Sequence, residues 1–271
     1  MHDRDRGTNK YRAESSGEDL RPGSTMKIIS AIFIIMMVAT IVAAQKSPVT
    51  IFLAGDSTCA AKQPDKRPET GWGEMLGQHF KDGKVRIENR AMNGRSTKSF
   101  ISEGRWQAIV DEMKKGDYVF VQFGHNDESK DKGDRYTPPD DYRRNLVRFI
   151  SDVRANGGFP VLLTPVMRRR FDKDGKFYDT HGEYPDIVRA VAKEQNAPLI
   201  DMHRMSETVI VKYGVEGSKK LFLQLKPGEN PNYPNGVEDN THFSPLGAEE
   251  MAKLAVDVIR EKKMALRKYL K

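Results

Sequence analysis

Only one cysteine, Cys59, occurs in the 271 residues, so no intrachain disulfide can form. An ordinary core must hold the chain together, and its length and 38% apolar content are sufficient for one. A core of that size needs no disulfide, whichever side of a membrane the chain works on. No internal repeat and no long low-complexity linker follows Gln45. Standard metal-ligand spacing is also missing: His125, Asp127, His181, Asp201 and His203 match no known ligand pattern, so neither a metal nor another cofactor is expected. Charge of one sign is scarce. Beyond residue 44, 39 Lys/Arg stand against 33 Asp/Glu, a net charge of +6 that is dispersed along the chain. With no basic motif and no aromatic platform, nucleic acid is not an expected partner. The mild excess favours an acidic substrate instead.

One long hydrophobic run is present, at the N-terminus. Lys27 precedes residues 28–44, which carry no charge and end Val42-Ala43-Ala44 before Gln45. A basic start, an apolar stretch and small residues at its end describe a signal peptide, cut after Ala44. The rival reading is a single-pass anchor, but seventeen residues is near the lower limit for a bilayer span and no positive cluster follows. The expected organisation is an upstream extension or tag at 1–25, a signal segment at 26–44 and one domain at 45–271. The location is then secreted or periplasmic, and membrane contact arises only through an uncleaved signal segment.

Within the domain, β-type runs alternate with amphipathic stretches. Strands are expected at 49–54, 85–91, 118–123, 160–164 and 198–201. Trp106, Ile109, Val110 and Met113 keep helical spacing, as do Tyr142, Leu146, Phe149, Ile150 and Val153 after a capping-box-like Thr137-Pro138-Pro139-Asp140. A further helix is expected over 183–196. The last one opens at Ser244-Pro245, a cap followed by a first-turn proline. This alternation predicts an α/β fold with a parallel sheet covered on both faces. Irregular segments at 65–68, 127–139, 168–182 and 224–240 are expected to serve as loops around a site.

Three strands end in chemistry. The first is followed by Gly55-Asp56-Ser57, the second by Asn93-Gly94-Arg95-Ser96 and the third by Gly124-His125-Asn126-Asp127. All three segments then lie on one edge of the sheet, where ligands bind in α/β folds. Asp239-Asn240-Thr241-His242 precedes the last helix, whose start can face the same edge. Together they meet the needs of acyl transfer. Ser57 is a nucleophile once His242 takes its proton, and Asp239 orients the imidazole. The N–H groups of Ser57 and Gly94 and the Asn126 amide are candidate donors for an oxyanion. Read singly, Ser57 is also a helix cap, Gly94 a turn glycine, Asn126 and Asp239 turn formers and His242 a surface histidine. Cys59 is a rival nucleophile without a supporting pattern. The four segments occurring in order favour the catalytic reading.

Gly55-Asp56-Ser57, Gly94, Gly124-His125-Asn126-Asp127 and Asp239-x-x-His242 resemble the four blocks of the SGNH (GDSL-type) esterases over nearly all of the domain. The resemblance implies a three-layer α/β/α, flavodoxin-like fold on a five-stranded parallel sheet. It also implies a Ser57–His242–Asp239 triad and an oxyanion hole of Ser57, Gly94 and Asn126. Gly-x-Ser-x-Gly is absent, so the nucleophile elbow of α/β-hydrolases does not apply. Within the superfamily, Gly71-Trp72-Gly73, Asn89-Arg90-Ala91-Met92-Asn93-Gly94-Arg95-Ser96-Thr97 and Asp239-Asn240-Thr241-His242-Phe243-Ser244 are similar to rhamnogalacturonan acetylesterases. That implies a carbohydrate O-acetyl esterase acting on an acetylated polysaccharide or oligosaccharide. Acetylxylan, a sialic acid acetyl ester, a lipid ester and a silent carbohydrate-binding protein remain as alternatives. Arg95, His125 and His181 are candidate substrate-binding residues. Arg95, Lys98 and Arg168-Arg169-Arg170 could hold uronate carboxylates, although a solvated charged loop accounts for them equally well.

Overall fold

The computed structural model describes residues 47–271, so the expected extension at 1–25 and the signal segment at 26–44 lie outside the described residues. Seven strands and seven α-helices follow. The strands are β1 (Val49–Gly55), β2 (Val85–Asn89), β3 (Tyr118–Gln122), β4 (Phe159–Leu163), β5 (Leu199–Ile200), β6 (Phe222–Leu225) and β7 (Val237–Phe243). The helices are α1 (Trp72–Met75), α2 (Thr97–Ser102), α3 (Arg105–Glu112), α4 (Pro139–Ala155), α5 (Tyr184–Glu194), α6 (Met202–Gly217) and α7 (Pro245–Glu261). β1 to β5 form one parallel sheet in the order β2-β1-β3-β4-β5. Each expected strand is present, with ends displaced by a residue or two. The chain is therefore α/β with the flavodoxin-like order expected. Among the described residues no helix is long and apolar enough to cross a membrane.

Strand residues are apolar on both faces because both faces are covered. Ile51, Leu53, Phe120 and Leu163 point to one side and pack with Met251, Ala255 and Ile259 of α7 and Ile210 of α6. Phe52, Ala54, Val119 and Val121 point to the other side, against Trp106 of α3, Phe149 of α4 and Val188 of α5. Two-residue periodicity thus splits each strand between two cores. α7 starts as expected: Ser244 is its N-cap, with its hydroxyl accepting from the Gly247 N–H at 3.2 Å, and Pro245 is its first residue.

Three local expectations need correction. Thr137 does not cap α4: the N-cap is Pro138, and the Thr137 hydroxyl donates to the Arg135 carbonyl instead. Segment 224–240 is irregular over 226–236, but its two ends are strand residues, because β6 pairs antiparallel with β7 across that loop. Asp239 and His242 therefore sit on a strand and not on a turn before the helix. The segment after β5 is helical. Asp201, expected as the end of a strand, is the N-cap of α6, and its carboxylate accepts from the Arg204 N–H at 3.5 Å. The contiguous Val209-Ile210-Val211 conceals this helix because its three side chains differ in fate: Ile210 is buried while Val211 is exposed.

Candidate active site

β1 runs straight into the turn that presents Ser57. The Asp56 carboxylate accepts from the Thr58 N–H at 2.9 Å and from the Thr58 hydroxyl at 2.8 Å, folding the chain back on itself directly after the strand. Asp56 is fully buried, and burial raises its pKa against the pull of the Thr58 bonds. It shapes the turn from behind and leaves Ser57 at the surface of the site. The Thr58 hydroxyl also lies 3.3 Å from Gln122 Oε1, which accepts the indole N–H of Trp72 at 2.9 Å. Buried Trp72 at the start of α1 thereby ties the end of β3 to the turn after β1.

The neighbouring strands bring the other donors. After β2 the chain turns through Asn93-Gly94, with the Arg95 N–H donating to the Met92 carbonyl at 3.3 Å and the Met92 N–H to the Gly55 carbonyl at 3.0 Å. Gly94 has φ +75°, which a side chain resists, and a Cβ there would lie 3.2 Å from the Arg135 guanidinium. Among the described residues neither the Ser57 N–H nor the Gly94 N–H has an acceptor, so both are free for a ligand. After β3, the Asn126 amide donates to the Arg95 carbonyl at 3.0 Å, which uses one of its two N–H bonds and orients the other.

The fourth segment closes the constellation. His242 Nδ1 is 2.7 Å from Asp239 Oδ2, and His242 Nε2 is 2.9 Å from Ser57 Oγ. A carboxylate only accepts, so Nδ1 carries the proton and Nε2 presents its lone pair to the serine hydroxyl. Asp239 Oδ1 accepts from the N–H groups of Thr241 and His242 at 2.7 and 2.9 Å. Burial alone would raise the Asp239 carboxyl. The His242 ring and these N–H groups outweigh it and hold the carboxyl below the ordinary aspartate value. β7 is fixed from behind by Arg169, a buried guanidinium. It donates to Asn240 Oδ1 at 2.9 Å, to Ser218 Oγ at 3.0 Å and to the Val215 carbonyl.

Ser57, Gly94, Asn126 and His242 open into a cleft of about 470 Å³. Four cations line it, Lys66, Lys132, Arg135 and Arg168, against one carboxylate, Glu69. Such an arrangement can acylate a serine, stabilise an oxyanion and hold an anionic or hydroxyl-rich ligand.

A family model described as GDSL-like Lipase/Acylhydrolase matches residues 53–249. The chain belongs to this family. It is 45% identical over 225 residues to the rhamnogalacturonan acetylesterase RhgT of Bacillus subtilis, covering 83% of this chain and 95% of that protein. It is 39% identical over 212 residues to the probable rhamnogalacturonan acetylesterase YesY of the same organism, covering 78% and 92%. Among solved structures it resembles B. subtilis YxiM, with a TM-score of 0.66 at 26% identity over 80% of this chain and 58% of that one. It also shares the fold of an acetylxylan esterase from Geobacillus stearothermophilus, with a TM-score of 0.56 at 16% identity over 79% and 96%. The protein is a carboxylic ester hydrolase.

Within this family fold, the remaining sequence-derived residues separate. His125 lines the cleft, and neither of its ring nitrogens has a protein partner among the described residues. Burial first, then the nearby His181, Arg168 and His242, push its pKa well down, so the ring is neutral. His181 is not in the cleft. It is buried behind His125, ring centroids 4.6 Å apart, with Nδ1 2.8 Å from Glu128 Oε2 and Nε2 2.8 Å from the Val166 carbonyl. Arg95 also turns away from the cleft, pairing with Glu103 at 3.0 Å and donating to the Asn93 carbonyl at 2.9 Å. Lys98 donates to the Gly133 carbonyl at 3.3 Å. Of the three consecutive arginines, Arg168 reaches the cleft while paired with Glu128, and Arg169 is the buried clamp on β7. Cys59 is buried, and burial pushes its thiol well up, away from the reactive thiolate. Among the described residues no three His, Cys, Asp or Glu side chains converge on a metal position.

Asp127, next to Asn126, has a different task. Its Oδ1 accepts the Thr97 N–H at 2.9 Å and the Thr97 hydroxyl at 2.6 Å, fastening the loop after β3 to the start of α2. Burial raises its carboxyl to about 7 even against those bonds. An unfolded aspartate titrates near ~3.9. The folded chain therefore keeps a proton that the unfolded chain has lost, and stability falls as pH rises from about 4 to about 7 before levelling. Asp127→Asn keeps the acceptor and removes this titration. Thermal midpoints measured from pH 5 to 7 are expected to decline less steeply in the variant than in the parent. Equal slopes would place the proton elsewhere.

Proposed function

We propose that the protein is a carbohydrate O-acetyl esterase that removes acetyl groups from a rhamnogalacturonan-type pectin through an acetyl-serine intermediate. The observation that carries this reading is the Ser57–His242–Asp239 chain of short hydrogen bonds opening into a cleft with four cations. The names of the two B. subtilis relatives support the substrate.

Ser57 Oγ attacks the acetyl carbonyl while His242 Nε2 takes its proton. The carbonyl oxygen becomes an oxyanion within reach of the Ser57 and Gly94 N–H groups and the Asn126 amide. Collapse breaks the bond to the sugar oxygen, which leaves with the proton from His242. Water then attacks the acetyl-serine, again giving its proton to His242. Acetate departs and Ser57 recovers its hydroxyl. Asp239 stays ionised throughout and stabilises the imidazolium.

Polymeric pectin lies outside the cell, and the apolar run behind Lys27 supports export. A lipid substrate fits poorly, because the cleft is lined by charged and amide side chains. The test is acetate release from acetylated rhamnogalacturonan and from acetylated xylan, using enzyme recovered from the medium or periplasm of an expressing bacterium. Release is expected to favour the pectin. Activity confined to the cytosol overturns export, and equal rates on both polymers overturn the substrate. Arg135 is the cation to change. Among the described residues no carboxylate pairs with it, and it overlies Gly94. Arg135→Ala is expected to raise KM for the uronate-bearing polymer by about 10-fold, the worth of one charge-assisted contact, and to spare the xylan. Equal losses on both polymers would remove uronate binding from Arg135.

A further inference from the structure

Five residues beyond Ser57 lies a lysine whose side chain has 0% exposure. Lys62 Nζ is 2.5 Å from the Ser57 carbonyl oxygen, 3.0 Å from Asn93 Oδ1 and 2.8 Å from Glu69 Oε1. An ammonium has three donors, and here each has one acceptor on a different segment. The Lys62 backbone is anchored as well: its N–H reaches Glu74 Oε1 at 3.3 Å, and the same oxygen accepts the Gly71 N–H at 2.9 Å at the start of α1.

The three acceptors define what this bracket does. Ser57 carries the hydroxyl and one free N–H, Asn93 immediately precedes the second free N–H at Gly94, and Glu69 is in the cleft wall. β1 and β2 are registered only as far as Leu53 and Asn89, so both turns project beyond the paired strands. Among the described residues two backbone bonds, from the Arg90 N–H to the Leu53 carbonyl and from the Met92 N–H to the Gly55 carbonyl, cross between the chains there. A buried cation needs a buried anion close by, and Glu69 supplies it.

We infer that Lys62 is a positioning residue that sets the separation of the Ser57 and Gly94 N–H groups, and that its charge adds to the field where the acyl oxygen turns negative. The inference rests on the acetyl-serine reading. Holding two donors for an oxyanion is effective only when the spacing is right, and a misplacement of about 1 Å costs on the order of 100-fold in rate.

The test compares the parent with Lys62→Met and with Lys62→Met/Glu69→Gln. Each is assayed for p-nitrophenyl acetate turnover, for labelling of Ser57 by a fluorophosphonate located by peptide mass, and for thermal midpoint. Lys62→Met leaves Glu69 buried and unpaired, so its midpoint falls. The double variant leaves no charge unpaired and recovers much of that fall. In both, kcat and the labelling rate are expected to drop about 100-fold while KM stays within about threefold. Should the single variant fail to fold, the double variant carries the comparison. A double variant that turns over and labels at the parental rate shows that Lys62 only balances Glu69, and overturns the inference. A parent enzyme that is not labelled at Ser57 overturns the acetyl-serine reading and this inference together.

Discussion

Ser57→Ala is expected to lower turnover of p-nitrophenyl acetate by about 10⁴-fold or more, with the fold intact. Among the described residues the Ser57 hydroxyl has one hydrogen-bond partner, His242 Nε2. The Ser57 carbonyl that Lys62 holds belongs to the backbone and survives the change. The thermal midpoint should therefore move little, by an amount equivalent to about 0.5 kcal/mol or less. Residual rate would come from the free N–H groups and the Asn126 amide, which still face the carbonyl oxygen. A variant that releases p-nitrophenol at near-parental rate would refute Ser57 as nucleophile, since Cys59 is buried and burial holds its thiol in the protonated, unreactive form.

Much of this site is legible along the chain because its parts are local. A parallel strand buried on both faces reads as an apolar run, and the residues that end it lie on the ligand-binding edge. Ser57, Gly94 and Asn126 each follow such a run, and the structure brings all three to one cleft. Asp239 and His242, three residues apart, do meet at 2.7 Å, but on a strand and not on the turn that their spacing suggests. β7 exists because it pairs with β6 across a loop and because Arg169 clamps Asn240. Neither contact has a signature in the neighbourhood of Asp239. The same limit applies to the cations. Arg95 stands beside Gly94 in sequence yet turns to Glu103, whereas Arg135 reaches Gly94 from a loop 41 residues further along the chain. Lys62 has no periodicity or motif to mark it. A buried lysine is visible only when acceptors from three separate turns are seen to converge on its nitrogen. His181 lies in a polar segment that reads as an exposed loop, and its burial comes from packing on His125 and Glu128.

Asp239→Asn is expected to cost about 10⁴-fold in kcat, near 5.5 kcal/mol of transition-state stabilisation, while leaving the hairpin folded. Its two oxygens divide the work. Oδ1 holds the N–H groups of Thr241 and His242, and the amide oxygen of asparagine continues to accept both. Oδ2 accepts from His242 Nδ1, and there asparagine presents an NH₂ group. Two donors cannot face each other, so the imidazole shifts its proton to Nε2 and Nδ1 becomes the acceptor. Nε2–H then points at Ser57 Oγ and can no longer take the hydroxyl proton. The geometry survives and the base is lost. Stability distinguishes this from unfolding. The Asp239 carboxyl lies below its ordinary value in the folded chain, so the ionised form contributes stability above about pH 4 that is lost as pH falls through the folded value. Asparagine has no such loss, and the variant's thermal midpoint should fall less than the parent's on acidification below pH 4. A large kcat loss with this flattened acid limb and an unchanged far-ultraviolet spectrum identifies Asp239 as the group that orients His242. A kcat within tenfold of the parent would show that His242 keeps its working tautomer without the carboxylate.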